Sequence, residues 1–459
     1  MMTRHWYFLV GLFLFIAGVA LASDFSGFVG GSAMMGEPLA LLMLLIFCIA
    51  YLLVFFEEKT GIAKSKPMIF SAGLLWMIAS VIAYQHGLEH DAIRQAVTHN
   101  LDEFAELFLF LMVALIYIKQ IEERQVFELL KSKLISRGYS YQGLFWLTGI
   151  IAFFLSAIAD NLTTALVIGT VVIAVGQDSP KFVSIGCINT VVACNAGGAF
   201  SPFGDITTLM VWQAGKVEFL EFLKIFIPSL ISFLVPAAVM AIFLPKGSPE
   251  TLGVDVNLKP HAKLYCFLFA FTILLAVLSE QILGLPPYLG MMTGLSLLML
   301  GEYLFNRSLP ESDPDKQRNL FSGLAEAEWD TLMFFFGVMY CVGALGFIGY
   351  LAWLSDLLYT GYGADAANIV AGLISAMVDN IPVMFAILQM DPAMDQFQWL
   401  LITLCAGIGG SVMSIGSAAG VALMGIGRGH YTFLSHLRWS GVILLGYGAG
   451  IGTHYLVNL

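Results

Sequence analysis

The sequence predicts an all-α polytopic membrane protein made of two inverted-topology repeats, each with a re-entrant hairpin and a broken transmembrane helix. Three observations carry that prediction: a large excess of apolar over charged residues, long hydrophobic runs joined by short basic loops, and two apolar zones interrupted by the same polar pattern.

Hydrophobic side chains fill 59% of the 459 positions and charged ones only 12%, against about 25% charged in an ordinary soluble domain. No single globular core could hide that excess, so lipid must be the solvent. At roughly 20 residues per spanning helix plus short loops, the chain has room for on the order of a dozen membrane segments. The formal net charge is −11 and no basic stripe occurs, which excludes nucleic acid as a partner. Cys48, Cys187, Cys194, Cys266, Cys341 and Cys405 all fall in apolar stretches without metal-ligand or disulfide spacing, and read as small buried hydrophobes. The expectation is a chain that uses no cofactor.

At the N-terminus, Arg4 precedes the apolar run Tyr7 to Ala22, and Ala20-Leu21-Ala22 has the small-x-small form of a signal-peptidase site. Residues 1–22 therefore read equally as a cleaved signal peptide or a first transmembrane helix, and either way Ser23 emerges outside the cytoplasm. Long apolar runs follow at Pro38 to Phe56, Pro67 to Tyr84, Phe104 to Gln120, Glu221 to Leu244, Leu264 to Leu283, Pro287 to Phe305, Thr331 to Tyr350 and Leu437 to Val457. Each is long enough to cross. The segments His86 to Glu103 and Ile121 to Arg137 are too densely charged for hydrocarbon and read as interfacial.

Orientation follows from Lys and Arg in short loops, which stay cytoplasmic. Lys59, Lys64 and Lys66 mark one such loop, Lys119 to Arg137 a second, Lys246, Lys259 and Lys263 a third, then Arg307, Lys316 and Arg318, and finally Arg428 with Arg438. Between the runs lie two broken zones, Gln142 to Gln213 and Ala366 to Gly427. The charge alternation holds only if the first enters from the cytoplasm, turns back near Lys181 and then crosses once, while the second does the same from outside. The predicted organisation is a first repeat over 23–245, a cytoplasmic linker over 246–263 and a second, inverted repeat over 264–459.

The repeat is visible directly. Leu155-Ser156-Ala157-Ile158-Ala159-Asp160-Asn161 is echoed by Ile374-Ser375-Ala376-Met377-Val378-Asp379-Asn380, an offset of 219. Gly197-Gly198-Ala199-Phe200-Ser201-Pro202-Phe203-Gly204 is echoed by Gly409-Gly410-Ser411-Val412-Met413-Ser414-Ile415-Gly416, an offset of 212. An odd number of crossings between the halves makes them face opposite ways.

Asp160-Asn161 and Asp379-Asn380 fall at the middle of the broken zones, where a hairpin would turn at membrane depth. Such a turn leaves backbone groups unpaired unless it lines a polar cavity. The glycine-rich echoes predict two crossing helices unwound at Asn195 to Thr208 and Gly407 to Ser417, whose free carbonyls suit a sodium ion. Asp205, with Thr207 and Thr208 beside it, sets the sign of the cargo, because a buried carboxylate is costly unless it meets a cation or a proton. Its repeat-mate is Ser417, so the halves are not chemically equal.

Structural readings stand beside these. Asp160, Asp379 and Asp205 can each cap a helix, the glycines can serve close helix packing, and Ser375, Ser414 and Ser417 taken singly read as packing serines. Asp102, Glu103 and Glu106 read as acids in the first turn of a helix, where they favour the macrodipole. His86, His90 and His99 read as a solvated face rather than a pH sensor.

At Ser156-Ala-Ile-Ala-Asp160-Asn161-Leu-Thr163-Thr164, at Asn195-Ala-Gly-Gly-Ala-Phe-Ser-Pro-Phe-Gly204-Asp205-Ile-Thr207-Thr208, and at Glu328-Trp329-Asp330-Thr331-Leu332, the chain resembles the NhaD-type sodium/proton antiporters of the ion transporter superfamily. That superfamily also holds citrate carriers, arsenite permeases and divalent-anion/sodium symporters. The resemblance implies exchange of Na⁺, and with it Li⁺, for H⁺ across the inner membrane, in a homodimer. It places the functional polar positions on Glu106, Asp160, Asn161, Asn195, Asp205, Thr207, Thr208, Ser375, Asn380, Ser414 and Ser417. Asp379 joins them by repeat symmetry, Thr164 as a support, and Na⁺ is expected at Asp160 and Asp205. A sodium-coupled anion symporter on the same fold is the first rival; an intramembrane enzyme is the second, opposed by the absence of a nucleophile-elbow or metal-ligand motif.

Overall fold

The computed structural model describes residues 33–136, 138–249, 256–308, 329–427 and 429–459. The N-terminal segment to Ser23, the middle of the 246–263 linker, Lys316, Arg318 and Glu328 lie outside the described residues. Among the described residues the chain is helical, without strands. In order come α1 (Pro38–Phe55), α2 (Ser65–Gln85), α3 (His90–Glu123), α4 (Val126–Ser136), α5 (Tyr141–Ala159), α6 (Asn161–Val175), α7 (Pro180–Ala199) and α8 (Ile206–Gln213). They are followed by α9 (Phe226–Ile242), α10 (Ala262–Leu283), α11 (Pro287–Ser308), α12 (Trp329–Ile348), α13 (Ala364–Ser375) and α14 (Asn380–Met390). The chain ends with α15 (Gln396–Gly409), α16 (Ala418–Ile426), α17 (Phe433–Leu437) and α18 (Ser440–Asn458).

Among the described residues, eight helical stretches are long and apolar enough to cross a membrane, namely α1, α2, α3, α5, α7, α10, α12 and the run Phe219–Ile242 that contains α9. The short helices α6, α8, α13, α14, α15 and α16 come from the two broken zones, which are cut where Asp, Asn, Gly and Ser interrupt the apolar pattern.

The chain divides into two compact units. The smaller holds residues 1–105, 328–363 and 385–392, with α1 and α12 packed on α2. Gly337 of α12 lets the backbones touch there, since a Cβ on it would lie 2.7 Å from the Met68 carbonyl carbon. The Ser65 hydroxyl donates to Asp330 at the ends of the same pair of helices.

The larger unit holds residues 106–327, 364–384 and 393–459, and with them the first broken zone and the second apart from 385–392. There α5 packs on α7 and α13 on α15, while α6 lies against α7 and α16. The first two pairs are built alike. A Cβ on Gly197 would lie 2.0 Å from the Phe153 carbonyl oxygen, and one on Gly409 would lie 2.0 Å from that of Gly372. Both partners are separated by the same two offsets as the sequence echoes. Outside these pairs, α9 packs on α18. Pro236 inside α9 cannot donate to the Ser232 carbonyl, and a Cβ on Gly446 would come within 2.4 Å of that oxygen.

Two expectations need correction. No Gly or Pro interrupts His90 to Glu103, so nothing ends the helix there, and α3 runs unbroken for 34 residues. At 1.5 Å per residue that is about 50 Å, longer than a hydrocarbon core of about 30 Å. The charged segment thus continues the spanning helix. Glu106 lies in the helix interior and is half-buried, so the first-turn reading of Asp102, Glu103 and Glu106 fails. The helix breaks are also shorter than expected. α7 remains helical to Ala199 and α15 to Gly409, leaving only Phe200 to Asp205 and Gly410 to Ser417 outside helix. Gly197, Gly198 and Gly409 serve close packing instead of unwinding. Cys48 and Cys266 are half-exposed, whereas the other four cysteines are buried.

Replacing Gly197 or Gly409 with Ala should force each pair of helices apart and cost about 1–3 kcal/mol. Thermal melting of purified protein in detergent should show both variants below the parent. Gly73→Ala, where a Cβ meets nothing within 4 Å, should match it.

Candidate functional site

The hairpin between α5 and α6 turns on one residue. Asp160 has φ 52° and ψ 161°, so it departs from helical geometry just where the apolar run would otherwise continue. Its carboxylate oxygens accept from Thr163 N and Thr163 Oγ1, each at 2.8 Å. Asp160 is therefore an N-cap, and its neighbour Asn161 is turned toward the interior. The second hairpin breaks over Ala376 to Asp379, and Asn380 opens α14.

Both breaks meet at Asp205. This carboxylate is buried and caps α8, accepting at Oδ1 from Thr207 N at 3.0 Å and Thr207 Oγ1 at 2.9 Å. Asn380 Nδ2 donates to its Oδ2 at 3.1 Å and to Oδ1 at 3.4 Å, and Asn161 Nδ2 donates to Oδ2 at 3.4 Å. Asp379 immediately precedes Asn380, so a second carboxylate belongs to the turn whose amide reaches Asp205. Buried negative charge is thus held by one hydroxyl, one backbone amide and the two Asn amides that follow the hairpin aspartates.

The other expected residues lie around this centre in distinct ways. Asn195 accepts from Asn161 Nδ2 at 3.4 Å and donates through its own Nδ2 to Ser411 Oγ at 3.0 Å, which ties the two broken helices together. Thr208 Oγ1 donates to the Ala199 carbonyl at 3.1 Å, spanning the first break. Ser375 Oγ donates to the carbonyls of Gly372 and Ala406. Ser156, its repeat-mate, donates likewise to the Cys194 carbonyl at 2.7 Å. Ser417 caps α16 by accepting from Gly420 N at 3.3 Å, the same duty that Asp205 performs for α8.

Thr164 Oγ1 and Ser414 Oγ are buried without a hydrogen-bond partner among the described residues. Among the described residues no group of three or more His, Cys, Asp or Glu could hold a metal ion. The donor set is one carboxylate among amide, hydroxyl and carbonyl oxygens, the kind that broken helices present to Na⁺. Glu106, half-buried on α3, takes part in an interaction of its own. Ser411 escaped the sequence reading, although it stands as a hydroxyl where the first half has Ala199.

Comparison with known proteins identifies the family. Residues 51–407 match the family model described as citrate transporter, well over half of the chain. The chain is 51% identical over 435 residues to a protein named Na(+)/H(+) antiporter NhaD from Vibrio cholerae serotype O1, covering 90% of this chain and 91% of that one. It is 51% identical over 433 residues to the NhaD of Alkalimonas amylolytica, covering 90% and 89%. It is 30% identical over 432 residues to sodium/proton antiporter 1 of Arabidopsis thaliana, covering 91% and 72%. On family match, identity and coverage together, the chain belongs to the citrate transporter family and, within it, to the NhaD-type Na⁺/H⁺ antiporters.

Proposed function

We propose that this multi-pass inner-membrane protein exchanges Na⁺ for H⁺ at the buried Asp205 carboxylate, with Li⁺ as a second cargo cation. The observation that carries the reading is the convergence of both hairpin turns on that one acid through Asn161 and Asn380. A proton on Asp205 or a cation beside it neutralises the same charge. Each load therefore excludes the other, and exchange follows once the site opens to alternate sides. Thr164, Ser414, Asn161, Asn195 and Asn380 supply neutral oxygens to the cation. Thr207 and Thr208 hold the first break in shape, as Ser375 and Ser417 hold the second. Asp160 and Asp379 bring negative potential to the turns, with Asp160 also fixing the direction of Asn161. No bound cofactor is needed beyond the transported ions.

The recurrence of the same serine and glycine contacts at matching offsets supports two repeats related in structure as well as sequence. We take them to be inverted, as the loop charges require, and the assembled protein to be a homodimer, as in the resemblance above. A family described by citrate transport raises the anion-symporter reading again. An anion entering this site would meet Asp205 with Asp379 beside it, which disfavours it.

Asp205→Asn keeps size but loses the charge. Cation-driven proton movement in inverted vesicles should disappear while membrane insertion persists; full antiport in that variant would reduce Asp205 to a cap. Competition at one carboxylate also sets a pH dependence. The deprotonated form binds Na⁺, so apparent sodium affinity should weaken as pH falls, approaching about tenfold per unit for each competing proton. Measured in proteoliposomes from pH 6 to 9, a constant affinity would sink direct competition. For topology, a cysteine introduced near Lys181 should react only from the cytoplasm and one near Pro392 only from outside. Labelling of both from one side removes the inversion.

A further inference from the structure

The two helix breaks are held differently. In the first, the Ala199 carbonyl accepts from Thr208 Oγ1 at 3.1 Å. Ala199 corresponds by repeat to Ser411, and Thr208 to Gly420. Gly420 has no hydroxyl to give, and no side chain would fit, because a Cβ there would lie 2.1 Å from the Ser414 carbonyl oxygen. The second break therefore lacks the donor that closes the first. An unpaired carbonyl at membrane depth is costly.

The missing donor comes from further along the chain. His436 on α17 is fully buried, and its Nε2 lies 2.8 Å from the Ser411 carbonyl oxygen. A carbonyl only accepts, so Nε2 carries the proton. Tyr431, also buried, places its hydroxyl 2.8 Å from Nδ1, where it donates to a neutral ring and fixes the tautomer. The neighbouring Val412 carbonyl accepts from Ser440 Oγ at 2.6 Å. Two successive carbonyls of the break are thus taken by the segment that follows it. Ser411 in turn places its hydroxyl under Asn195 Nδ2, whose other amide atom faces Asn161 and, through it, Asp205.

We infer that His436, oriented by Tyr431, is a positioning residue for the cation site, replacing in the second half the hydroxyl that Thr208 supplies in the first. It touches neither Asp205 nor the cargo. Its effect reaches them through Ser411 and Asn195, in the manner of outer partners that orient ligands to a metal. The inference rests on the Asp205 cation site proposed above.

The test is antiport in proteoliposomes of the full chain, reading apparent KM for Na⁺ and Vmax separately at one pH. His436→Leu should raise KM about tenfold while Vmax stays within about twofold. In His436→Gln the amide Nε2 can donate to Ser411 in place of the ring, and KM should return to within about twofold of the parent. Tyr431→Phe, which leaves Nδ1 without its donor, should raise KM about threefold. Asp205→Asn is measured alongside. A parental KM in His436→Leu, or no rescue by His436→Gln, beside an inactive Asp205→Asn overturns the His436 role alone. Retained antiport in Asp205→Asn overturns the site on which it rests. Should His436→Leu fail to reach the membrane, Tyr431→Phe decides, and a parental KM there overturns the proposal.

Discussion

Inside hydrocarbon, a peptide carbonyl or amide without a partner costs several kcal/mol, and among the described residues the broken zones interrupt apolar helices at 160, 200–205, 376–379 and 410–417. Everything around the candidate site answers that cost. Asp160 and Asp205 accept from the first amides of α6 and α8, and Ser417 does so for α16. Ser156 and Ser375 donate from the hairpins to carbonyls on the adjoining broken helices. Thr208 and His436 close the breaks themselves. The polar residues that make a cation site thinkable are the same ones that make the backbone tolerable there, so capping and ion binding are not rival explanations for Asp205.

The halves share this scaffold but not its charge. Asp205 faces Ser417 across the repeat, Asn195 faces Gly407, and Thr208 faces Gly420. One half thus carries the acid and its amide and hydroxyl partners. The other contributes Asn380 and, through Ser411, a hydroxyl for Asn195. A symmetric pair of acids would repel at close range. With Ser417 in the mate's place, Asp205 is braced by neutral amides from both halves, Asn161 and Asn380.

Much of this was legible in the sequence, for physical reasons. Apolar runs end where lipid ends, so the ranges of α1, α2, α10 and α12 follow from hydropathy alone. The two echoes marked both hairpins and both broken helices because irregular backbone at depth demands Asp, Asn, Ser and Gly. Helix extent was harder. α3 continues through its charged N-terminal turns because charge does not break a helix that projects past the lipid, and Gly197 and Gly409 stay helical because neighbouring backbone, not flexibility, requires them. His436 was invisible. It sits on the short helix α17, in a stretch whose sequence was read only for Arg438, and its meaning depends on the Ser411 carbonyl, which no side-chain pattern reports.

The glycine contacts at Gly197 and Gly409 bear on how the protein moves. Where backbone rests directly on backbone, no rotamer change can absorb sliding, and any shear would have to compress atoms already in contact. The hairpin helix α5 is locked to α7, and α13 to α15, with serine bonds across each seam. Any motion of this part of the chain therefore carries α5 with α7 and α13 with α15, and the give comes at seams where side chains, rather than glycines, meet.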